Sequence, residues 1–421
     1  MRAARARLLV PFRYPGFGFY WGNTLLTSTG LWMEMVAQGW LIVELTDSPF
    51  MLGLVAGSQG LATVVVGAVG GVVADLVERR RLLMLVQGCR ALIALVMAVL
   101  VGTEVVQIWH VALLALASGA ANAVQAPTRH TLVYDLIGRE HLAQAVAMNM
   151  TASNVMRIMG PAAGGLLVGY FGIAGCYGVV AACWLLGSAT IGFIRVKALP
   201  TPKADRSVWH NLVEGLRYVR TQRLILLLLG TEVVADTFAF SHRFLVPFFA
   251  RDILGVGAIG LGLLLSASGL GALLGAATIG AVSTERNRGQ LLVACLFGFG
   301  VFLLLFSFSR WFPLSFLLLM GAGGMGTAFD SLMATILQML IPDEFRGRVM
   351  GLYVLTWGMS PVGGFQSGTV AGLFGVPLAV GFGGLVAACV AVLLARLAPD
   401  LIEAGRASPP AATPGRGAIG P

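Results

Sequence analysis

Seven charged side chains interrupt stretches of the chain that are otherwise apolar. They are Glu34, Arg90, Arg157, Glu232, Asp236, Arg243 and Asp330. Glu232 and Asp236 stand four residues apart, so on a helix they share one face as a like-charge pair, which is unfavourable even in water. Away from water, at least one of the two carboxylates should hold a proton at neutral pH unless a cation reaches it. This pair could therefore exchange protons.

Five of these residues are candidates for binding a proton or a substrate: Glu34, Arg157, Glu232, Asp236 and Asp330. The alternative is that the acids only neutralise arginines in buried pairs. Counted at 1.5 Å per residue, Glu34 and Arg157 lie at similar depth along their helices, so the sequence predicts that they pair. Arg243 stands two helical turns beyond Asp236, which is too far for direct pairing along a regular helix.

The apolar stretches around these charges predict a membrane protein. Hydrophobic residues make up 57% of the 421 residues and charged residues 11%, whereas about a quarter of a soluble domain is charged. A helix crosses a bilayer with about 20 apolar residues, and twelve such spans can be placed. They are 17–43, 51–74, 82–101, 109–129, 143–171, 175–196, 224–249, 257–283, 291–309, 312–337, 349–374 and 375–397. The predicted fold class is an all-α membrane protein.

A loop motif occurs twice along the chain. The segment Gly71–Arg81 has a weaker copy at Gly280–Gly289, and each is wedged between apolar stretches. Such internal repeats are typical of transporters built from two similar halves. We predict two six-helix bundles, with the following divisions: a cytoplasmic N-terminal segment (1–16), the first bundle (17–196), a cytoplasmic linker (197–222), the second bundle (223–398) and a disordered tail (399–421).

Lysines and arginines collect on one side of the predicted bundle. The termini, the even-numbered loops and the linker hold most of them, whereas the opposite loops offer Arg251 and Arg310. Cytoplasmic loops retain positive charge, so both termini are expected in the cytoplasm of a protein that crosses its membrane repeatedly. The net charge of +9 is then explained by topology, and no nucleic-acid partner is invoked.

The cysteines and histidines do not suggest a metal site or catalysis. All five cysteines fall in or beside predicted spans, and the five histidines stand singly. No nucleotide-binding loop and no Ser/His/Asp set is present. The sequence argues against an enzyme, an ATP-driven pump, a bound metal and a cofactor.

The linker carries apolar residues at helical spacing between Trp209 and Val219, with Arg217, Arg220 and Arg223 nearby. One interpretation is an amphipathic helix on the inner leaflet, its basic face toward anionic lipid. The other is a helix packed on the cytoplasmic face of the protein itself.

The fifth span contains Gly160, Pro161, Gly164 and Gly165, a candidate hinge. Glycines in membrane helices commonly permit close approach of a neighbour. Pro161 also removes a backbone donor and permits a bend. Both properties can hold together.

Six motifs in order resemble the major facilitator superfamily, and within it the bacterial efflux branch that contains enterobactin exporters and macrolide efflux proteins. They are Gly39–Pro49, Ala74–Arg81, Pro127-x-Arg129, Arg157–Gly165, Gly215–Val219 and Pro342–Met350. The resemblance covers Pro11 to Leu397 and implies alternating access between two six-helix halves. It also implies a gating role for Asp75, which in the family faces the start of the eleventh span, here near Arg348.

The gating loop also contains Arg79, Arg80 and Arg81, which we expect to substitute for one another as a solvated cluster. The family motif normally has Arg directly after the Asp, where this chain has Leu76. Proton antiporters of the superfamily also tend to carry an Arg near the start of the fourth span, where this chain has His110. These departures count against the proton antiport that the resemblance otherwise implies.

These observations predict a secondary active exporter of a bulky apolar or amphipathic small molecule, such as a drug, a macrolide or a siderophore-like compound. It would be driven by protons and would act as a monomer among membrane lipids. The alternatives are uptake or flipping of a lipid-like molecule, and a non-transporting membrane sensor or assembly partner. Buried carboxylates favour transport, because a structural relic has no reason to bear their cost.

Overall fold

A computed structural model describes residues 10–194, 208–284, 286–356, 360–399 and 401, and these residues form helices and no strand. The first half comprises α1 (Phe17–Thr46), α2 (Pro49–Leu76), α3 (Arg79–Gly102), α4 (Ile108–Ile137) and α5 (Leu142–Gly192). After the linker helix α6 (Val208–Thr221), the second half comprises α7 (Arg223–Val234), α8 (His242–Phe248), α9 (Gly257–Val282), α10 (Arg288–Phe308), α11 (Phe312–Leu340), α12 (Asp343–Thr356), α13 (Ser360–Phe374) and α14 (Val376–Leu397).

Within the described ranges, nine helical segments are long and apolar enough to cross a membrane. One of them, α5, has 51 residues and contains the fifth predicted span and most of the sixth. The first and eleventh predicted spans correspond to α1 and to α12 with α13, which are not among the nine. The predicted all-α, multi-pass membrane fold is confirmed.

A glycine turns the chain at equivalent places in the two halves. In α5 the helix breaks at Gly172, which has φ 73° and ψ 174°. Gly375, with φ 92°, separates α13 from α14 in the second half. Each glycine follows a phenylalanine, and this backbone conformation is strained for any residue with a side chain. The repeated corner supports an internal duplication.

The helices pack in corresponding pairs. In the first half α2 packs on α4 and α3 on α5, and the equivalent pairs in the second half are α9 with α11 and α10 with α14. Between the halves, α5 packs on α9 and α2 on α13. A Cβ on Gly165 would lie 2.9 Å from Cα of Gly262, and one on Gly368 would lie 3.1 Å from Cα of Gly53. Glycine is needed at these crossings because the backbones themselves are in contact.

These crossings join the halves near one end of the molecule. We call the end that carries Arg79, Arg80 and Arg81 the basic end, and the end at which α1 stops, at Thr46, the opposite end. At 1.5 Å per residue, the four glycines of the crossings lie within about 10 Å of the opposite ends of their helices. The two halves are therefore closed against each other at the opposite end.

The linker helix α6 packs on the second half. The Tyr218 ring stacks on Phe345 of α12, with centroids 4.3 Å apart, and Glu214 pairs with Arg348 at 3.1 Å. Val213, Leu216, Arg217 and Arg220 are exposed on the other side of the helix. One face of α6 therefore packs on the protein itself, as the second interpretation of the linker predicts. Residues 195 and 196 of the first bundle, residues 197–207 of the predicted linker and nearly all of the predicted tail lie outside the described residues.

Candidate functional site

A cavity of about 550 Å³ lies between the two halves and collects all five candidate residues. Glu34 and Arg157 reach it from the first half, and Glu232, Asp236 and Asp330 from the second. The remaining lining residues are Leu31, Trp32, Met35, Gln38, Gly39, Ile42, Leu52, Gln59, Phe240, His242, Arg243, Phe244, Pro247, Leu265, Ser268, Phe299, Ala322, Gly323 and Thr327. Most of this wall is apolar, with the charges grouped among aromatic rings.

The first-half acid, Glu34, is held by partners of its own half. Its Oε2 accepts a hydrogen bond from Nη2 of Arg90 at 2.9 Å, and its Oε1 accepts one from Ser118 Oγ at 3.1 Å. Arg90 lies over the ring of Trp184, 3.9 Å from the centroid. The prediction that Glu34 pairs with Arg157 is therefore wrong. Equal depth fixes only the position along the membrane normal, and the rotation of α3 decides which arginine meets the acid.

Arg157 instead faces the second half. Its guanidinium lies 5.7 Å from the centroid of the Trp32 ring and within electrostatic range of Asp330 and Arg243. The backbone of the next residue, Ile158, accepts a hydrogen bond from Ser266 Oγ at 2.6 Å. Arg157 thus stands where the two halves meet, opposite acidic groups of the other half.

The seventh predicted span is not a regular helix. Residues Ala235–Ala239 form a π-helical stretch between α7 and α8, in which the Phe240 amide donates to the Ala235 carbonyl five residues earlier at 3.0 Å. A second π-helical stretch, Phe249–Ile253, follows α8. A π turn widens the helix and changes the direction of the side chains that follow it.

This irregularity corrects the expectation that Arg243 is too far from Asp236. Nη2 of Arg243 lies 3.8 Å from Oδ1 of Asp236, a loose ion pair, while its Nε donates to the Phe240 carbonyl at 2.8 Å. Asp236 is buried and Arg243 is 40% exposed in its side chain. Arg243 also lies within electrostatic range of Asp330, so one arginine serves two carboxylates.

The other two acids of the second half differ in their surroundings. Glu232 is fully buried one turn before Asp236 on α7, and Asp330 is half-buried on α11. Oδ1 of Asp330 and Oδ2 of Asp236 accept no hydrogen bond from the part of the chain that the structure describes. Both oxygens are shielded from solvent in this conformation, so each could carry a proton without contacting water.

The sequence reasoning passed over His242, which stood among the scattered histidines. His242 is buried, lines the cavity and has its Nδ1 2.7 Å from the Ala239 carbonyl. The polar triplet Ser241-His242-Arg243 inside an apolar span was the available signal. Among the described residues, no group of three His, Cys, Asp or Glu side chains is arranged to hold a metal ion.

The gating arginines at the basic end have separate roles. Arg79 forms an ion pair with Asp135, and both side chains are largely buried. Arg80 donates to the carbonyls of Ile191 and Gly192 at the end of α5. Arg81 pairs with Glu78 at 2.7 Å on the surface. The expectation of one solvated, interchangeable cluster is therefore wrong, because two of the arginines have fixed partners. The side chain of Asp75 lies outside the described residues.

The glycines of the candidate hinge make close helix contacts. A Cβ on Gly160 would lie 2.7 Å from Cβ of Trp32, and one on Gly164 would lie 3.1 Å from Cα of Met33. The helix continues through Pro161, and its non-helical residue is Gly172. These glycines thus permit the close approach of α1 to α5, whereas bending at Pro161 stays a prediction.

Comparisons with known proteins agree with this architecture. The model of the family described as transmembrane secretion effectors matches residues 6–412. An uncharacterised major-facilitator-type transporter of Bacillus subtilis, YfiS, is 26% identical over 391 residues, covering 88% of this chain and 89% of that protein. The enterobactin exporter EntS of Shigella boydii is 27% identical over 345 residues, covering 81% of each.

Solved structures show the same fold at low identity. A mutant of the nucleoside transporter NupG superimposes with a TM-score of 0.71 at 14% identity, covering 91% of this chain and 99% of that one. A bacterial homologue of the human lysosomal transporter Spinster, in an inward-facing and unoccupied conformation, has a TM-score of 0.67 at 13% identity, covering 96% and 97%. The chain is a multi-pass membrane transporter rather than an enzyme, and it belongs to the transmembrane secretion effector family of the major facilitator superfamily.

Proposed function

We propose that this protein exports a bulky apolar or amphipathic small molecule across a bacterial inner membrane, by proton-coupled alternating access. The observation that carries the proposal is a cavity shared by the two halves, in which Arg157 of one half lies among the acids of the other and within electrostatic range of Asp330. Charges are costly inside a bilayer unless they face a cavity or a partner. A cavity that joins charges from two moving halves gives them a role in transport.

The orientation follows from the distribution of basic residues. Cytoplasmic loops retain Lys and Arg, so the basic end and both termini would lie in the cytoplasm. The halves are joined at the opposite end, and the cavity then belongs to an inward-facing state. In this state a substrate would enter from the cytoplasm, as an exporter requires.

The charges that line the cavity suit the exchange of one proton. Glu34 is balanced by Arg90, which leaves Glu232, Asp236 and Asp330 beside Arg157 and Arg243. Among the described residues that line the cavity, these three carboxylates and two guanidinium groups sum to one excess negative charge, which a single proton or a cationic group of a substrate neutralises. We assign the coupling step to Asp236 and Asp330, which share Arg243. Glu34 keeps a positioning role through its pair with Arg90.

The apolar wall defines the substrate class. Trp32, Met35, Phe240, Phe244 and Phe299 surround the charged group. A volume of about 550 Å³ lies in the range of pockets that bind drug-sized molecules. Thioether and aromatic surfaces adapt to varied shapes. Drugs, macrolides and siderophore-like compounds are amphipathic molecules of this kind, and the resemblance to an enterobactin exporter supports the same class.

Transport in proteoliposomes of known orientation tests the proposal. A panel of a fluorescent bis-benzimide dye, radiolabelled erythromycin and a tris-catecholate would be followed with and without an imposed pH gradient. Export predicts movement from the basic-end side to the opposite side, accelerated when the destination compartment is acidic. Movement only in the reverse direction would identify an uptake system. No movement of any compound, with folded protein in the membrane, would favour a non-transporting sensor.

A further inference from the structure

His242 lines the central cavity but takes no part in the proposed exchange of protons. It begins α8, three residues after the π-helical stretch ends at Ala239, and it is 8% exposed. Ligand pockets are mostly apolar, and their few polar groups fix the orientation of the ligand. A polar side chain on this largely apolar wall is therefore a candidate for recognising one group of the substrate.

Two contacts fix the imidazole ring of His242. Its Nδ1 lies 2.7 Å from the carbonyl oxygen of Ala239. The ring also meets the Phe299 ring edge to face, with centroids 5.8 Å apart and an angle of 71° between the planes. Phe299 belongs to the same wall, so the imidazole is held in one orientation at the surface of the cavity.

The contact with Ala239 determines which ring nitrogen carries the hydrogen. A carbonyl oxygen only accepts hydrogen bonds, so Nδ1 must be the donor. In a neutral imidazole the other nitrogen, Nε2, then holds a lone pair and is an acceptor. Nε2 receives no hydrogen bond from the described residues, and it is not among the polar atoms that these residues enclose completely. It is therefore an acceptor that a molecule in the cavity can reach.

The charged groups of the cavity place different demands on a ligand. The carboxylates of Asp236 and Asp330 attract a proton or a cation, and the guanidinium of Arg157 attracts hydrogen-bond acceptors. A neutral acceptor among aromatic rings instead selects a hydroxyl or an amide N–H. An ether or a methyl group at the same point would leave Nε2 of His242 unpaired, which is unfavourable away from water.

We infer that His242 recognises the exported molecule by accepting a hydrogen bond at Nε2 from a hydroxyl or amide N–H group. This inference rests on the proposed function and narrows its substrate class to amphipathic molecules that carry such a neutral donor. The competing explanation is a structural role, in which His242 only supports the end of the π-helical stretch through Ala239. Water would then donate to Nε2 without selecting a substrate.

Two variants separate recognition from structural support. His242→Gln places an amide oxygen near the position of Nε2 but loses the hydrogen bond to Ala239. His242→Asn keeps an N–H donor near the position of Nδ1 but has no acceptor at the position of Nε2. His110→Asn is the same substitution at a residue that does not line the cavity, and it serves as the matched control.

The binding of two dyes to the purified full-length protein provides the measurement. They are a bis-benzimide with a terminal phenol and its ethyl ether, and fluorescence anisotropy reports their binding. We expect the wild type and His110→Asn to bind the phenol roughly tenfold more tightly than the ether. His242→Gln should retain this preference, whereas His242→Asn should lose it. Equal affinities in the wild type, or an undiminished preference in His242→Asn, would overturn the inference.

Nitrogen NMR of the wild type, with its histidines labelled in both ring nitrogens, does not require a variant to fold. We expect one of the five histidines to have an unprotonated Nε2 whose signal shifts when the phenol is added and not when the ether is added. If the phenol shifts no such signal, the inference is wrong.

These measurements distinguish the role of His242 from export itself, because neither of them requires transport. A preference for the phenol without movement of either dye in proteoliposomes would refute export and leave the role of His242 intact. Transport of both dyes, bound with equal affinity, would refute the role of His242 alone.

Discussion

Arg251 of the second half reaches Asp47 at the end of α1 and so fastens the two halves together at the opposite end. Nη1 of Arg251 also donates to the Val43 carbonyl at 2.7 Å, and its Nε contacts Asp252 of its own half at 2.5 Å. The carbonyls at the end of a helix carry partial negative charge, which favours a cation there. The family-like motif at the end of α1 thus supplies both acceptors of an ionic latch.

Removing the latch should shift the protein toward opening at the opposite end. Charge-assisted hydrogen bonds contribute about 1.5–3 kcal/mol, and partial exposure lowers this. We expect Arg251→Ala to favour the open state by about 1–2 kcal/mol, a factor of roughly 5–30 in population. Distances between spin labels at exposed Glu104 and Arg310, in a background without exposed Cys89 and Cys389, report the opening. Asp252→Asn leaves the contacts between halves intact and should not shift the distances.

The pair of Glu34 and Arg90 gives a prediction about stability. Each single neutralisation, Glu34→Gln or Arg90→Gln, leaves a buried charge without its partner and should destabilise the protein by about 3–5 kcal/mol. The double variant removes both charges and should be more stable than either single variant. Thermal unfolding in one detergent compares the three. Additive losses in the double variant would show that the two side chains do not depend on each other.

The sequence predicted where the spans lie along the chain. Apolar runs located the spans, and the break predicted between 171 and 175 falls at Gly172, because glycine and span length are local properties. The sequence did not predict which arginine pairs with Glu34, because the depth of a residue does not specify how its helix is rotated about the helix axis. The sequence therefore selected Arg157 for Glu34, where the structure has Arg90.

The π-helical stretch shows a second limit of sequence reasoning. Glycines of neighbouring helices press on it: a Cβ on Gly363 or Gly383 would lie 3.1 Å from the carbonyl carbon of Thr237 or Phe238, respectively. This geometry depends on residues more than a hundred positions away. No local sequence pattern predicts this π-helical geometry, which brings Arg243 within reach of Asp236.

The arginines at the basic end should respond differently to substitution. Arg79→Gln leaves Asp135 buried without its cation and should destabilise the protein by about 3 kcal/mol. Arg81→Gln removes an exposed pair with Glu78, which contributes less than about 1 kcal/mol. Unfolding midpoints of the two variants provide the measurement. Equal midpoints would restore the view that the arginines form one interchangeable cluster.

Asp75 remains a gating residue by prediction. We expect it to approach the N-terminal part of α12 when the basic end closes, because the N-terminus of a helix favours an anion. The sequence predicted that this helix begins near Arg348, whereas it begins five residues earlier, at Asp343. Asp75→Asn should then slow transport and leave folding and insertion unchanged. Initial transport rates in proteoliposomes, normalised to inserted protein, give the readout. Wild-type rates in the variant would remove Asp75 from the gate.

Asp236 is the residue on which proton coupling is expected to depend. It is buried beside Glu232, lines the cavity and has a loose contact with Arg243, so protonation would release Arg243 toward Asp330. Asp236→Asn mimics the protonated acid permanently. Efflux driven by a pH gradient should be abolished, whereas substrate binding and downhill exchange should persist, because the cavity wall is unchanged. Efflux measured across a series of pH values in oriented vesicles compares Asp236→Asn and Glu232→Gln with the wild type, and the exposed Asp252→Asn serves as the matched control. A pH dependence identical to the wild type in the first two variants would show that this pair does not couple protons, and the acids would then serve only to neutralise the arginines beside them.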